Sequence, residues 1–217
     1  MEEGANVKPS KTGEILPGVF AVSNIQVNFY LIKGEQKYIA FDAGASRKMS
    51  EKGLARLNIR PDDICAVFLT HTDSDHTSSL GLFPHAKVYI AKQEVQMIDG
   101  STKRSFLLGY NKLHCTYETF VDGETCIVDG AEIKCMVTPG HTKGSACYVV
   151  NGKYLFSGDS FSMKNGKAER FTPLYTMDGA EQDRSIRKLA GISGIEAAFT
   201  GHHGYTDNYD KAMQDWH

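Results

Sequence analysis

Along the chain, apolar positions come in short runs rich in β-branched and aromatic residues, each closed by a turn signal. VFAVS, VNFYLIKG and KYIAFDAG, within residues 19–44, read as antiparallel strands, with the polar KGEQ as a turn. Residues 46–58 repeat apolar side chains at helical spacing behind Ser46, which predicts a helix. ICAVFLT is almost continuously apolar, the pattern of a central strand buried on both faces. A short helix is expected after His76, then a strand at AKVYIA and a short helix at KQEVQMI. The second half repeats this logic: strands at TYETFV, CIVDG and AEIKCMVTPG, then a hairpin in SACYVVNGKYLFSGD turning at Asn151-Gly152. Residues 179–190 suit an amphipathic helix, GIEAAFTG a last strand and the C-terminal segment a helix. Residues 1–13 read as a flexible lead-in and 14–217 as one domain. Strands then helix in each half predict an α/β fold, an αββα sandwich of two mixed sheets face to face with outer helices.

Composition narrows the function classes. The 217 residues are 41% hydrophobic and 23% charged, which excludes disorder over most of the chain. A formal net charge of -2 lacks the basic excess of nucleic-acid binders. No apolar run approaches the roughly 20 residues of a membrane helix. The acidic, polar N-terminus is not a secretory signal, so the expectation is a soluble, cytoplasmic protein with neither nucleic acid nor membrane as partner. Five cysteines, an odd number with no C-x-x-C, argue against a disulfide framework; Cys65 and Cys147 read as small buried hydrophobes.

The chemistry concentrates in FLTHTDSDHTSSL. His71, Asp73, Asp75 and His76 follow a buried strand directly, and imidazole with carboxylate is the donor set of first-row divalent metals. Taken alone, the segment could also be a solvated polar turn. Three further segments share its design: an apolar strand, a turn residue, then a ligand type. His141 follows IKCMV, Asp159 follows YLF and His202 follows IEAAF. Four strand ends presenting ligands are hard to explain as solvated loops.

With these motifs in hand, the chain resembles the metallo-β-lactamase-fold hydrolases. Their H-x-H-x-D-H pattern corresponds to His71-Thr72-Asp73-Ser74-Asp75-His76, followed by His141, Asp159 and His202, and FDAGAS with Asp42 matches an upstream strand and turn. The resemblance implies two divalent ions, zinc, iron or manganese. His71, Asp73 and His141 would hold the first and Asp75, His76 and His202 the second. Asp159 would bridge them, and Asp75 would also be catalytic. Water between two cations loses a proton near neutral pH and becomes the nucleophile. Asp42 would lock a histidine or the loop, or else serve as a turn or cap residue. His203 is not expected in the site, and His85, His114 and His217 are expected at the surface.

The departure is Asp73, where most of the family has His and its flavodiiron branch has a carboxylate; Asp73 either holds the first metal, binds it weakly through water, or has lost it, which would leave a one-metal or inactive relative with Asp75, His76, Asp159 and His202 around a single ion. Two divalent ions against three aspartates and a bridging hydroxide sum to zero charge. The added carboxylate lowers Lewis acidity and favours iron or manganese over zinc. The implied function is a metal-dependent hydrolase cleaving an ester, thioester, lactone or phosphoester, with a glutathione thioester not favoured. The alternatives are a di-iron or mononuclear-iron redox enzyme and a metal-bearing binding protein without turnover. Residues 160–177 lack periodicity and mix Phe161, Met163, Phe171 and Tyr175 with Lys164, Lys167 and Arg170. They form either a lining for an anionic or amphipathic small molecule or an ordinary connection. The oligomeric state is open, a homodimer included.

Overall fold

The computed structural model describes residues 8–105 and 109–217. Among them, one sheet runs in the order β1 (Gly13–Leu16), β2 (Val19–Ser23), β3 (Asn28–Lys33), β4 (Tyr38–Phe41), β5 (Ile64–Phe68), β6 (Lys87–Ala91) and β7 (Glu118–Phe120). Its first four strands pair antiparallel, and from β4 onward the pairing is parallel. Helix α1 (Arg47–Arg56) makes the β4–β5 crossover, and the short α2 (Ser74–Thr77) follows β5. The second sheet contains β8 (Thr125–Val128), β9 (Ala131–Val137), β10 (Ala146–Val150) and β11 (Tyr154–Gly158). After a separate hairpin of β12 (Ser162–Lys164) and β13 (Lys167–Glu169) and helix α3 (Gly179–Ala190), it is completed by β14 (Ala197–Thr200) and β15 (Tyr205–Thr206). Helix α4 (Tyr209–Met213) ends the fold. Both sheets are mixed, because β11 and β14 pair parallel within an otherwise antiparallel second sheet.

Side-chain alternation explains the layers. On β3, Tyr30 and Ile32 enter the core between the sheets while Phe29 and Leu31 face the layer containing Leu54 of α1. On β10, Tyr148 and Val150 point inward, and Cys147 and Val149 point toward Ile186 and Leu189 of α3. Strands covered on both faces have no polar alternation, which is why ICAVFLT reads as one apolar run. The result is the expected αββα sandwich. Between the sheets, the rings of Phe41 and Phe156 stack at 3.9 Å between centroids, and Phe156 stacks on Phe199 at 4.7 Å.

Two tyrosines clip the sheets together beside the loops that matter below. Tyr148, from the second sheet, donates its hydroxyl to the Leu69 carbonyl at 2.9 Å. Tyr30, from the first sheet, donates to the Thr200 carbonyl at 2.8 Å. Both hydroxyls are buried, so each bond satisfies a donor and a carbonyl that water does not reach.

Several local expectations need correction. Residues 8–13 are tied down: Ser10 and Asn28 exchange two hydrogen bonds, the Lys8 amide donates to the His202 carbonyl, and Gly13 opens β1. Residues 1–7 of the expected lead-in lie outside the described residues. The helix expected after His76 starts at Ser74, with Asp73 at its N-cap. The short helix expected at KQEVQMI is present as a 3-10 helix, Lys92–Met97. Within 160–177, Asn165-Gly166 turns a hairpin, both residues at positive φ (53° and 77°), a signal of the kind read correctly at Asn151-Gly152. Cys147 is buried as expected, whereas Cys65 is half-buried; all five cysteines are free.

The stacked core and the tyrosine clips differ in expected cost. Phe156→Ala should destabilise the protein by about 3–5 kcal/mol through the cavity it leaves. Tyr148→Phe should cost about 1–3 kcal/mol through the unpaired Leu69 carbonyl. Denaturant midpoints would check both, and a smaller loss for Phe156→Ala than for Tyr148→Phe would contradict this account.

Candidate metal centre

The strand ends of both sheets meet at one edge. The Ala146 amide donates to the Thr70 carbonyl at 2.8 Å, and the Gly201 amide donates to the Gly158 carbonyl at 2.9 Å, so the loops carrying ligand types are bonded to one another. Gly201 has no room for a side chain: a Cβ there would lie 2.4 Å from Asp159 Oδ1 and 2.8 Å from His76 Cε1.

All seven predicted ligand residues converge. His71, Asp73 and His141 form one set, Asp75, His76 and His202 another, and each set offers ligand atoms within 4.8 Å of one another. Asp159 lies between them, its Oδ2 3.5 Å from His141 Nε2 and 3.1 Å from His202 Nε2, and its Oδ1 3.6 Å from His76 Nε2. Ligands at ordinary zinc distances on a tetrahedron are about 3.4 Å apart. In the second set, His76 Nε2 and Asp159 Oδ1 are buried and have no hydrogen-bond partner among the described residues. Unpaired buried polar atoms are costly, and these two aim at the same space, so the second set fits a cation. His202 is the residue that enters the site. His203 stays outside it, and His85, His114 and His217 are exposed as expected.

Groups behind the ligands fix their orientation. Asp42 accepts from His76 Nδ1 at 2.8 Å and from the Thr70 amide and hydroxyl, so it takes the locking role rather than that of a simple turn residue. His202 Nδ1 donates to the Gln26 carbonyl at 2.5 Å, leaving Nε2 toward Asp75 and Asp159. Burial lowers the pKa of His202, but Asp159 and Asp75 overcome it and push it up to about 10. Burial raises that of Asp75, but His76 and His202 bring it down to about 2. The second set therefore demands positive charge. His71 behaves oppositely: burial, with His76 and His141 beside it, holds it well below the usual imidazole range.

Three residues that the sequence did not single out complete the centre. Arg104 is buried, and its Nε donates to both oxygens of Asp73 at 2.9 Å. Its Nη2 lies 3.3 Å from His141 Nε2 and donates to the Tyr175 carbonyl at 2.5 Å. Asn111 donates to Asp73 Oδ1 at 2.8 Å. Glu94, in the 3-10 turn, ties two ligand loops. Its Oε1 accepts from the Thr72 amide and hydroxyl, and its Oε2 accepts from the Thr142 hydroxyl at 2.6 Å. In 160–177, Phe171 packs against His141 and His202 at 5.0 and 5.5 Å, while Phe161 and Met163 join the outer core. Lys167 and Arg170 pair with Asp215 and Asp183.

Burial raises the Glu94 pKa to about 7 despite the Thr142 and Thr72 bonds that lower it. A carboxyl with a folded pKa above its unfolded one leaves the native state holding more protons between the two values. Its contribution to stability is thus greatest below the unfolded pKa and is lost as pH rises through about 7. Glu94→Gln keeps an acceptor for Thr72 and offers an amide to Thr142. It should remove a pH-dependent loss of about 3 kcal/mol. The variant's stability relative to wild type should rise between pH 5 and pH 8, measured by denaturant unfolding; a constant difference would refute the assignment.

Comparison with known proteins follows the same geometry. Over 153 residues the chain is 29% identical to the protein named "Probable metallo-hydrolase" of Methanocaldococcus jannaschii, covering 70% of this chain and 64% of that one. It is 28% identical over 178 residues to a hydroxyacylglutathione hydrolase of Aeromonas hydrophila, covering 80% of this chain and 59% of the relative. The match thus spans less than two thirds of either relative's length. A B3 metallo-beta-lactamase with an active-site glutamic acid shares the fold at a TM-score of 0.73 and 16% identity, with 97% of this chain and 90% of that one aligned. The sequence model of the metallo-beta-lactamase superfamily matches residues 22–212, and the chain belongs to that superfamily.

Proposed function

We propose that the protein is a metal-dependent hydrolase acting on an ester, thioester, lactone or phosphoester bond of a small molecule. The observation that carries this reading is the pair of buried ligand atoms without a hydrogen bond, His76 Nε2 and Asp159 Oδ1, 3.6 Å apart at the meeting point of seven ligand-type side chains. A bound divalent ion supplies Lewis acidity and acidifies water near neutral pH. Asp42 holds His76 with Nε2 toward the site, and the Gln26 carbonyl does the same for His202. Asp75 is the most exposed of the second-set carboxylates, with 38% of its side chain accessible. Held near 2, it stays ionised at neutral pH and orients a water molecule rather than taking its proton.

The substrate side is apolar. Phe171 walls the ligand histidines, and Leu174 and Tyr175 are exposed on the turn whose carbonyl meets Arg104. These groups support a substrate with an apolar portion. Lys167 and Arg170 are engaged by Asp215 and Asp183, and Arg104 by Asp73, so none of these three cations supports an anionic group on the substrate. The redox reading drew its support from the carboxylate at Asp73, a hard oxygen donor where most of the family has a nitrogen, and both of its oxygens are hydrogen-bonded to Arg104. A carboxylate engaged by a guanidinium is a poorer donor to a metal, which weakens the preference for iron or manganese.

Among the described residues, no helix is long and apolar enough to cross a membrane. The hydrolase reading is tested with aryl esters, thioesters, lactones and phosphodiesters on protein purified without added metal. Turnover should appear in at least one class, vanish with a chelator and return with zinc or manganese. His76→Ala and Asp159→Ala should each reduce bound metal by more than about tenfold at fixed free ion. Metal-loaded protein that consumes oxygen but hydrolyses none of these would favour the iron redox reading.

A further inference from the structure

The two ligand sets differ in whether the ligand atoms facing the site are hydrogen-bonded; the far nitrogen of His141, Nδ1, is buried without a hydrogen bond but is not one of those atoms. His76 Nε2 of the second set and Oδ1 of the neighbouring Asp159 have no hydrogen bond and only face each other at 3.6 Å. In the first set, Asp73 Oδ1 accepts from both Arg104 and Asn111, and Asp73 Oδ2 accepts from Arg104 Nε. His141 Nε2 is met in either tautomer. As an acceptor it takes Arg104 Nη2–H at 3.3 Å, and as a donor it gives to Asp73 Oδ2 or to His71 Nε2, each at 3.2 Å. The guanidinium hydrogen therefore points at the lone pair a first-set ion would need.

We propose that Arg104 closes the first ligand set, so that the protein holds one tightly bound divalent ion, between Asp75, His76, Asp159 and His202. This inference rests on the metal-dependent reading above. Charge supports it. Asp75 and Asp159 balance one divalent ion, and Arg104 balances Asp73. A second divalent ion would sit beside a buried guanidinium with no further carboxylate to meet it, and like charges close together in a buried site repel strongly. The geometry of Arg104 is held from a third side: the Tyr175 carbonyl accepts its Nη2 at 2.5 Å, and only 6% of the side chain is exposed. First-set ligand spacings of 3.2 to 3.7 Å would suit an ion if the guanidinium were absent.

The test is zinc binding by the full chain after metal removal, followed by calorimetry and by elemental analysis after dialysis at fixed free zinc. Wild type should take up one tight zinc. Arg104→Met keeps the length and removes the charge, so it should bind a second zinc about 10- to 100-fold more strongly than wild type does. His141→Ala removes a first-set ligand and leaves Asp75, His76, Asp159 and His202 in place, so it should keep the tight zinc, whereas His202→Ala should lose it. Wild type binding two zinc ions with affinities within about tenfold of each other would overturn the proposal. So would loss of the tight ion in His141→Ala, a result that stands even if Arg104→Met does not fold. These readouts need no substrate. A one-zinc protein with no turnover would refute the hydrolase reading alone, and a chain that binds no zinc would refute both.

Discussion

Three carboxylates, Asp73, Asp75 and Asp159, converge on one largely buried volume, and each must meet positive charge there. Isolated, they could not remain ionised, and the fold around them is arranged to supply the balance. Asp73 meets Arg104, while Asp75 and Asp159 face histidines whose inner nitrogens converge on the same point. The outer nitrogens of His76 and His202 are spent on Asp42 and on the Gln26 carbonyl, which leaves the inner ones for an ion. Gly201 keeps the volume small by bringing backbone against Asp159 and His76.

Much of this was legible because it is local. His71, Asp73, Asp75 and His76 lie within six residues of one another after an apolar strand, and His141, Asp159 and His202 each stand behind their own strand signal. Strand periodicity and turn residues predict such positions without knowledge of the tertiary fold. Arg104, Asn111 and Glu94 were not legible. They lie 31, 38 and 22 residues from the groups they serve and sit in irregular or 3-10 segments, where charged residues usually face solvent. The hairpin at Asn165-Gly166 was readable in principle, but its strands are three residues each, too short for alternation to show. Residues 8–13 read as a tail because their partners, Asn28 and the His202 carbonyl, are remote in sequence.

Membership of the superfamily accounts for the sandwich and for the placing of ligands at strand ends. It does not account for Arg104. Counting ligand residues alone puts an extra negative charge in the first set, whereas the tertiary structure cancels it with a side chain from outside the motif. Substitutions in a metal-binding motif are therefore interpretable only together with the cations that pack against them.

The reciprocal tyrosine clips have a consequence for how the protein comes into being. Tyr30 of the first sheet holds the Thr200 carbonyl of the second, and Tyr148 of the second holds the Leu69 carbonyl of the first. The proposed ion site draws Asp75 and His76 from the first half of the chain, and Asp159 and His202 from the last third. A nascent chain that has left the ribosome only as far as His76 possesses a few flexible donors but no enclosed cage. An ion captured then would be held loosely and exchanged freely. Tight loading of the proposed ion would have to wait for the sheets to close, which would make metal selection a property of the finished fold rather than of the emerging polypeptide.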